Sequence, residues 1–348
     1  MTFASAALHV GLGVASFLGV AAAVAAVRPG PSDFVVTDKL RHLRRHPGEF
    51  DALLVGSSLV YRHFVPEVID EVLAERGRPL RTFNLGGPGM KGYELDHVVR
   101  EALDAAGDSV RVVFVEPSRF TPELIDANRR SARTVRWHTL RQTVAVLRQV
   151  AGEPRPAAEK LALAAEHLTL FAWNLTSYGD GPRILLERAG MGAPPQLGAA
   201  ELERTRGHRA LEDEVGEEFD ARRRALADDP ERYRRRVERL RAGATGGTAT
   251  AFDRERLRAQ VEAIRAAGAE AVYVVSPWPG GAGPFPALRD DGVLPALLTF
   301  CDPDAWPEAF RIEARFDANH LTRAAARAFS RTFAEAWADR VDGGERGG

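Results

Sequence analysis

The chain has 348 residues, with 47 Lys and Arg set against 48 Asp and Glu, for a formal net charge of −1. That balance excludes a dedicated nucleic-acid binder, whose domain would carry a basic excess, while the length allows one large or two modest domains with a sizeable core. A single cysteine, Cys301, excludes an internal disulfide framework and any multi-cysteine metal site.

From Ala4 to Val27 no residue is charged, and the apolar run ends at Arg28-Pro29-Gly30-Pro31. As a helix such a run reaches ~35 Å, enough to cross a bilayer. Residues 1–31 read as an uncleaved, single-pass transmembrane anchor. A secretory signal segment is the near rival, with small residues at Ala23 and Ala25 but no basic residue ahead of the apolar run. Arg28, Lys39, Arg41, Arg44 and Arg45 follow, and the positive-inside tendency alone would keep that side cytoplasmic.

Asp38 to Pro47 reads as a short basic surface helix. A rhythm of brief apolar runs and amphipathic stretches then begins. Asp51–Val55, Leu80–Leu85 and Val110–Val115 predict buried strands, separated by helices over Val65–Gly77 and Tyr93–Ala106. The rhythm resumes with a helix over Phe252–Ala267, a strand at Ala271–Val275, a weaker fifth strand at Phe310–Ala314 and a last helix over Leu321–Val341. Short strands alternating with helices predict an α/β domain over 32–120 and 251–342, its parallel sheet covered on both faces. Residues 121–250 break the pattern and read as a helical insertion, a lid or a cap. Within it, Glu201–Arg241 is a dense charge run that reads as a solvated helix face. His138 and His167 lack metal-ligand spacing, and residues 343–348 read as a disordered tail.

Ligands of parallel sheets bind beyond the carboxyl ends of the strands, so the residues placed there matter most. Gly56-Ser57-Ser58 follows the first strand, Asn84 to Gly89 the second, and Asp317-Ala-Asn-His320 the last. A serine hydroxyl needs a base to become nucleophilic, and the base needs an acid to fix its tautomer. An Asp three residues before a His can reach Nδ1 while Nε2 points outward. Ser58, Asp317 and His320 thus form the candidate catalytic set. The start of a helix at Ser58 and the glycine turn at Gly87 and Gly89 offer backbone N–H groups to an oxyanion. Trp278 and Trp137 are candidate sugar-stacking surfaces. The Pro279–Gly283 stretch lacks the Lys and Ser/Thr of a phosphate loop and reads as a flexible loop at the site.

These stretches resemble the SGNH/GDSL hydrolases. Leu54-Val-Gly-Ser-Ser58 is similar to the first block of that family, with Ser57 where many members have Asp. Phe83-Asn-Leu-Gly-Gly-Pro-Gly89 is similar to the second, and Phe316-Asp-Ala-Asn-His-Leu-Thr322 to the last. The resemblance implies a three-layer α/β/α, flavodoxin-like fold with about five strands, and ester chemistry on acyl groups without cofactor or metal. It implies an oxyanion site drawing on Gly89, then Gly87, with Asn84, Ser118 and Trp278 nearby. The third block departs: Val115-Glu-Pro-Ser-Arg119 stands where the family carries an oxyanion-binding Asn, leaving Ser118 as the substitute. The pattern also resembles the SGNH-like proteins of bacterial envelopes, of the alginate acetylation and D-alanylation kinds. From them come the expected substrate (an acylated glycan or lipid), an extracytoplasmic domain, membrane attachment through the N-terminal helix and other envelope-modification proteins as partners. The alternative is a catalytically inactive SGNH-like scaffold or binding subunit of an envelope polysaccharide assembly.

Overall fold

In a computed structural model of the chain, residues 34–177, 196–243 and 246–345 are described continuously, with isolated positions elsewhere. The expected membrane anchor lies partly outside the described residues; among those described, no helix is long and apolar enough to cross a membrane.

In chain order, helix α1 (Val35–Arg45) precedes strand β1 (Ala52–Val55), helices α2 (Ser58–His63) and α3 (Pro66–Glu75), β2 (Thr82–Asn84), α4 (Gly92–Ala106) and β3 (Val112–Val115). Helices α5 (Ala132–Trp137), α6 (Leu140–Gly152) and α7 (Ala157–Thr176) come next. They are followed by α8 (Ala199–Thr205), α9 (Glu217–Asp228), α10 (Pro230–Arg241) and α11 (Ala251–Ala266). Then come β4 (Glu270–Val275), α12 (Phe285–Asp290), β5 (Leu297–Thr299), α13 (Pro307–Phe310) and α14 (Arg323–Glu345). The chain divides into two compact units, residues 1–37 with 121–196, and residues 38–120 with 197–348.

The larger unit is an α/β domain. Its five strands pair in parallel in the order β2-β1-β3-β4-β5. Strands of three to six mostly apolar residues suit this arrangement, because a parallel sheet is buried on both faces and needs no polar alternation. The register sets Leu54, Phe114 and Val272 side by side. They face a core with Ile69 and Leu73 of α3 and Phe329, Phe333 and Trp337 of α14. Phe333 lies edge-on to both Phe64 and Phe114, with ring centroids 5.0 Å apart in each pair. On the opposite face α4 and α11 cover β1 and β4, and the Tyr273 hydroxyl donates to Gln260 of α11 at 3.0 Å. Buried Asp96 of α4 binds Arg256 and Gln260 of α11, so the two outer helices are tied by buried polar contacts.

The fifth strand differs from the expectation. Phe310–Ala314 is not a strand; Phe310 ends a short proline-initiated helix, and Ile312–Ala314 forms a single 3-10 turn. The edge strand is Leu297–Thr299, pairing with Tyr273–Val275. Pro295 masks it in the sequence, although a proline just before an edge strand removes no ladder hydrogen bond. Phe310 owes its apolar character to another cluster, with Leu226, Tyr233 and Val237. Helix α14 runs to Glu345, so the helix takes in half of the stretch read as a tail; residues 346–348 lie outside the described residues. Helix α1 is not simply a surface helix either, since Lys39 and Leu43 are fully buried.

Residues 121–250 divide at 196/197. The part after the division packs with the sheet: the Asn84 N–H donates to the Arg206 carbonyl at 2.8 Å, and Gly207, at φ +86°, lies so close to the Asn84 carbonyl that no side chain fits. In the smaller unit His138 and His167 are buried in contact at 2.9 Å, and Trp137 stacks on His138. Trp137 is therefore a packing residue.

Candidate active site

Strand β1 ends at Gly56, and the chain turns at once into α2, with Ser57 as its N-cap accepting from the Leu59 N–H at 3.2 Å. Ser58 is the first helical residue and is half-buried. In this strand order the crevice opens beyond the carboxyl ends of β1 and β3, where the direction of winding switches, and the turn stands there.

The opposing group arrives from the loop before α14. An isolated bridge between Arg315 and Leu321 pinches that loop closed. Asp317 Oδ1 accepts the N–H groups of Asn319 (2.7 Å) and His320 (2.8 Å), so the carboxylate is fixed before it meets any side chain. His320 Nδ1 lies 2.9 Å from Asp317 Oδ2 and 3.0 Å from Oδ1. Its Nε2 lies 2.9 Å from Ser58 Oγ. A carboxylate only accepts, so Nδ1 carries the proton and Nε2 is free to accept from the serine. Burial pushes the Asp317 carboxyl up, but the hydrogen bond and charge of His320 and the two N–H groups outweigh it and hold it below its usual value. Asp317 is thus an anion, suited to stabilise an imidazolium at His320. The three residues form one continuous hydrogen-bonded relay.

A further histidine packs behind His320. His63, at the end of α2, accepts the Leu321 N–H on Nε2 at 3.0 Å, so its Nδ1 bears the proton and donates to Ser276 Oγ at 3.1 Å. Burial, then the charges of His320 and Arg315, push His63 well below the usual histidine range. A neutral ring therefore backs His320, with centroids 6.0 Å apart. Arg236 of α10 donates to the Ala318 carbonyl (3.2 Å) and Asn319 Oδ1 (3.0 Å), bracing the loop from outside. One arginine of the charge run thus reaches the Asp317–His320 loop.

The other residues expected at the site are placed as follows. Neither the Ser58 nor the Gly89 N–H has an acceptor among the described residues, while the Gly87 N–H already donates to the Gly56 carbonyl at 2.9 Å. Asn84 is wholly buried and fully engaged: its amide donates to the carbonyls of Val60 (2.9 Å) and Phe64 (2.8 Å), and its oxygen accepts the Gly86 N–H. It fastens α2 to the glycine turn and has no hydrogen left for an oxyanion. Lys39 supports the same turn, its buried ammonium donating to the Gly86 carbonyl at 2.7 Å above the Tyr61 ring. Burial, then the Arg62 charge, lower its pKa well below the usual range. Ser118 Oγ accepts the Gly92 N–H at 3.0 Å, which ties the loop after β3 to α4. Trp278 is partly exposed and donates to Asn319 Oδ1 at 3.3 Å, so it borders the Asp317–His320 loop. Gly280 lies directly under the Trp278 ring, where no Cβ fits, and the Gly281 N–H closes a turn on the Trp278 carbonyl. The Pro279–Gly283 stretch is therefore a packed turn at that tryptophan.

Two neighbours went unread in the sequence. Glu116, next after β3, accepts the Ser57 N–H at 2.6 Å and its hydroxyl at 3.0 Å. Arg315 is buried with its guanidinium donating to the carbonyls of Pro277 (3.1 Å) and Asn319 (3.4 Å). Among the described residues no group of three or more His, Cys, Asp or Glu side chains is placed to hold a metal ion. A family-model comparison finds no match to this chain, and neither does a comparison with curated proteins.

Proposed function

We propose that the chain is an SGNH-like serine esterase or O-acyltransferase acting on an acylated envelope glycan or lipid. One observation carries this: the Ser58–His320–Asp317 relay, assembled from opposite ends of the chain with both contacts at 2.9 Å. In the proposed reaction Ser58 Oγ attacks the acyl carbonyl as His320 Nε2 takes the hydroxyl proton. The carbonyl oxygen gains the negative charge and is held by the N–H groups of Ser58 and Gly89. His320 then protonates the departing alkoxide, leaving an acyl-serine. Water or a sugar hydroxyl, deprotonated by the same histidine, releases the acyl group as acid or new ester. Asp317 keeps the imidazole in the working tautomer and stabilises its charged form.

The envelope setting rests on the resemblance and on the uncharged segment Ala4–Val27, proposed as a single-pass anchor carrying an extracytoplasmic domain beside other envelope-modification proteins. One feature favours the inactive scaffold instead: the stretch after β3, which carries an oxyanion-binding Asn in the resembled family, reads Glu116-Pro117-Ser118 and has no Asn. Incubation with p-nitrophenyl acetate, followed by mass analysis of the peptide containing Ser58, tests the enzyme reading. An acetyl group on Ser58, transferred to an added oligosaccharide or lost to water, is the expected result. Absence of both turnover and adduct in folded protein would favour the scaffold.

A further inference from the structure

The Ser58 turn contains an acid with no part in the relay. Glu116 stands at the end of β3, and its carboxylate takes both donors of Ser57, the backbone N–H at 2.6 Å and the hydroxyl at 3.0 Å. Ser57 is not itself a member of the relay; it is the residue that turns β1 into α2 and delivers Ser58. The bond crosses between β1 and β3, whose ends flank the crevice. Gly56 makes the approach possible, because a Cβ there would lie 2.6 Å from Glu116 Oε2 and run into Val60.

We propose that Glu116 is a positioning residue for Ser58, clamping Ser57 so that the Ser58 N–H stays free for an oxyanion and its hydroxyl meets His320. This inference rests on the esterase reading of the same site. A carboxylate beside a developing oxyanion would oppose it if it were unneutralised. Here its two oxygens are directed at the Ser57 donors, and the Lys91 charge acts on it as well. The Ser57 hydroxyl also accepts from Leu59, so the clamp extends into the first turn of α2. Burial raises the Glu116 carboxyl above its usual range against these donors, so the clamp weakens on acidification sooner than an exposed glutamate would.

The test is the second-order rate at which a fluorophosphonate probe labels Ser58 in the full chain, read beside the urea unfolding midpoint. Glu116→Ala is expected to slow labelling ~10²-fold, the effect of misplacing a nucleophile by about an ångström. Glu116→Gln is expected to stay within about tenfold of the parent, because its amide oxygen still accepts the Ser57 N–H. Labelling of Glu116→Ala at the parent rate, with Ser58→Ala unlabelled, would overturn the clamp while leaving the esterase reading intact. Equal losses in the Ala and Gln variants would also overturn it. The Ser57 amide resonance gives a measure that does not depend on reactivity. It is expected to shift through one transition as Glu116 titrates and to lose that transition in Glu116→Gln. A Ser57 amide that ignores the titration refutes the clamp, even in a protein that no probe labels.

Discussion

Replacing Asp317 by Asn changes one oxygen to an NH2 group, and the geometry determines which one. Oδ1 accepts the N–H groups of Asn319 and His320, so the amide oxygen must remain there. The new Nδ2 then takes the place of Oδ2, 2.9 Å from His320 Nδ1 in the parent. Two donors repel each other at that distance, and Oδ1, 3.0 Å from Nδ1, is already taken by two backbone N–H groups, so Nδ1 gives up its proton and the ring carries it on Nε2 instead. Nε2 then donates to Ser58 Oγ and no longer accepts from it, and the serine loses its base. In a serine protease, a histidine held in the wrong tautomer lowers turnover about 10⁴-fold. The same change here corresponds to ~5 kcal/mol of lost transition-state stabilisation. Fluorophosphonate labelling rates for Asp317→Asn and the parent protein, measured at neutral pH, read this directly. The fold should be little disturbed, since both backbone donors keep an acceptor. Labelling of the variant within tenfold of the parent would refute the tautomer argument and the role of Asp317 with it.

Other expectations follow from the same contacts. Asn84→Ala leaves the Val60 and Phe64 carbonyls and the Gly86 N–H without their partner and should lower stability by about 3 kcal/mol in urea unfolding; a change near zero would show that water or a shifted turn replaces the amide. Arg236→Ala removes the outside brace on the Asp317–His320 loop and should slow labelling about tenfold, whereas an unchanged rate would mean that the bridge and Asp317 hold the loop unaided. His208 is buried and lowered to about 4, first by burial and then by the charges of Lys39 and Arg62, against the hydrogen bond to the Arg62 carbonyl. A depressed histidine contributes stability that is fully present above its unfolded value of about 6.5 and lost as pH falls toward 4, here about 3 kcal/mol. Urea midpoints at neutral pH and near pH 4 should converge in His208→Gln by that amount relative to the parent, and equal acid sensitivity of the two proteins would contradict it.

The parts that the sequence made legible are those whose signal is local. Ala52–Val55, Val112–Val115 and Ala271–Val275 are unbroken apolar runs, and buried parallel strands require nothing more. Ser58 and the Asp317–His320 pair were readable because strand ends bring distant residues together and the acid–base spacing fits one turn. Leu297–Thr299 escaped notice because three residues after a proline carry no periodicity, and Phe310 drew attention with an apolar character that belongs to the Tyr233 cluster. Arg236 was hidden by its neighbours, since nothing in a run of arginines marks the one that turns inward. Asn84 looked like a site residue because it lies beside the glycine turn; only its three bonds show that it is a fastening. Glu116 could have been suspected from an acid placed directly after a buried strand, but its partner Ser57 lies 59 positions away and only the sheet register joins them.

The central claim is that Ser58 is an activated nucleophile. It is tested most directly by exposing the purified chain to a fluorophosphonate probe beside Ser58→Ala and His320→Ala. Covalent labelling of the parent on Ser58 is expected, with none in Ser58→Ala and little in His320→Ala. A folded parent that stays unlabelled, or label that persists in Ser58→Ala, would contradict it.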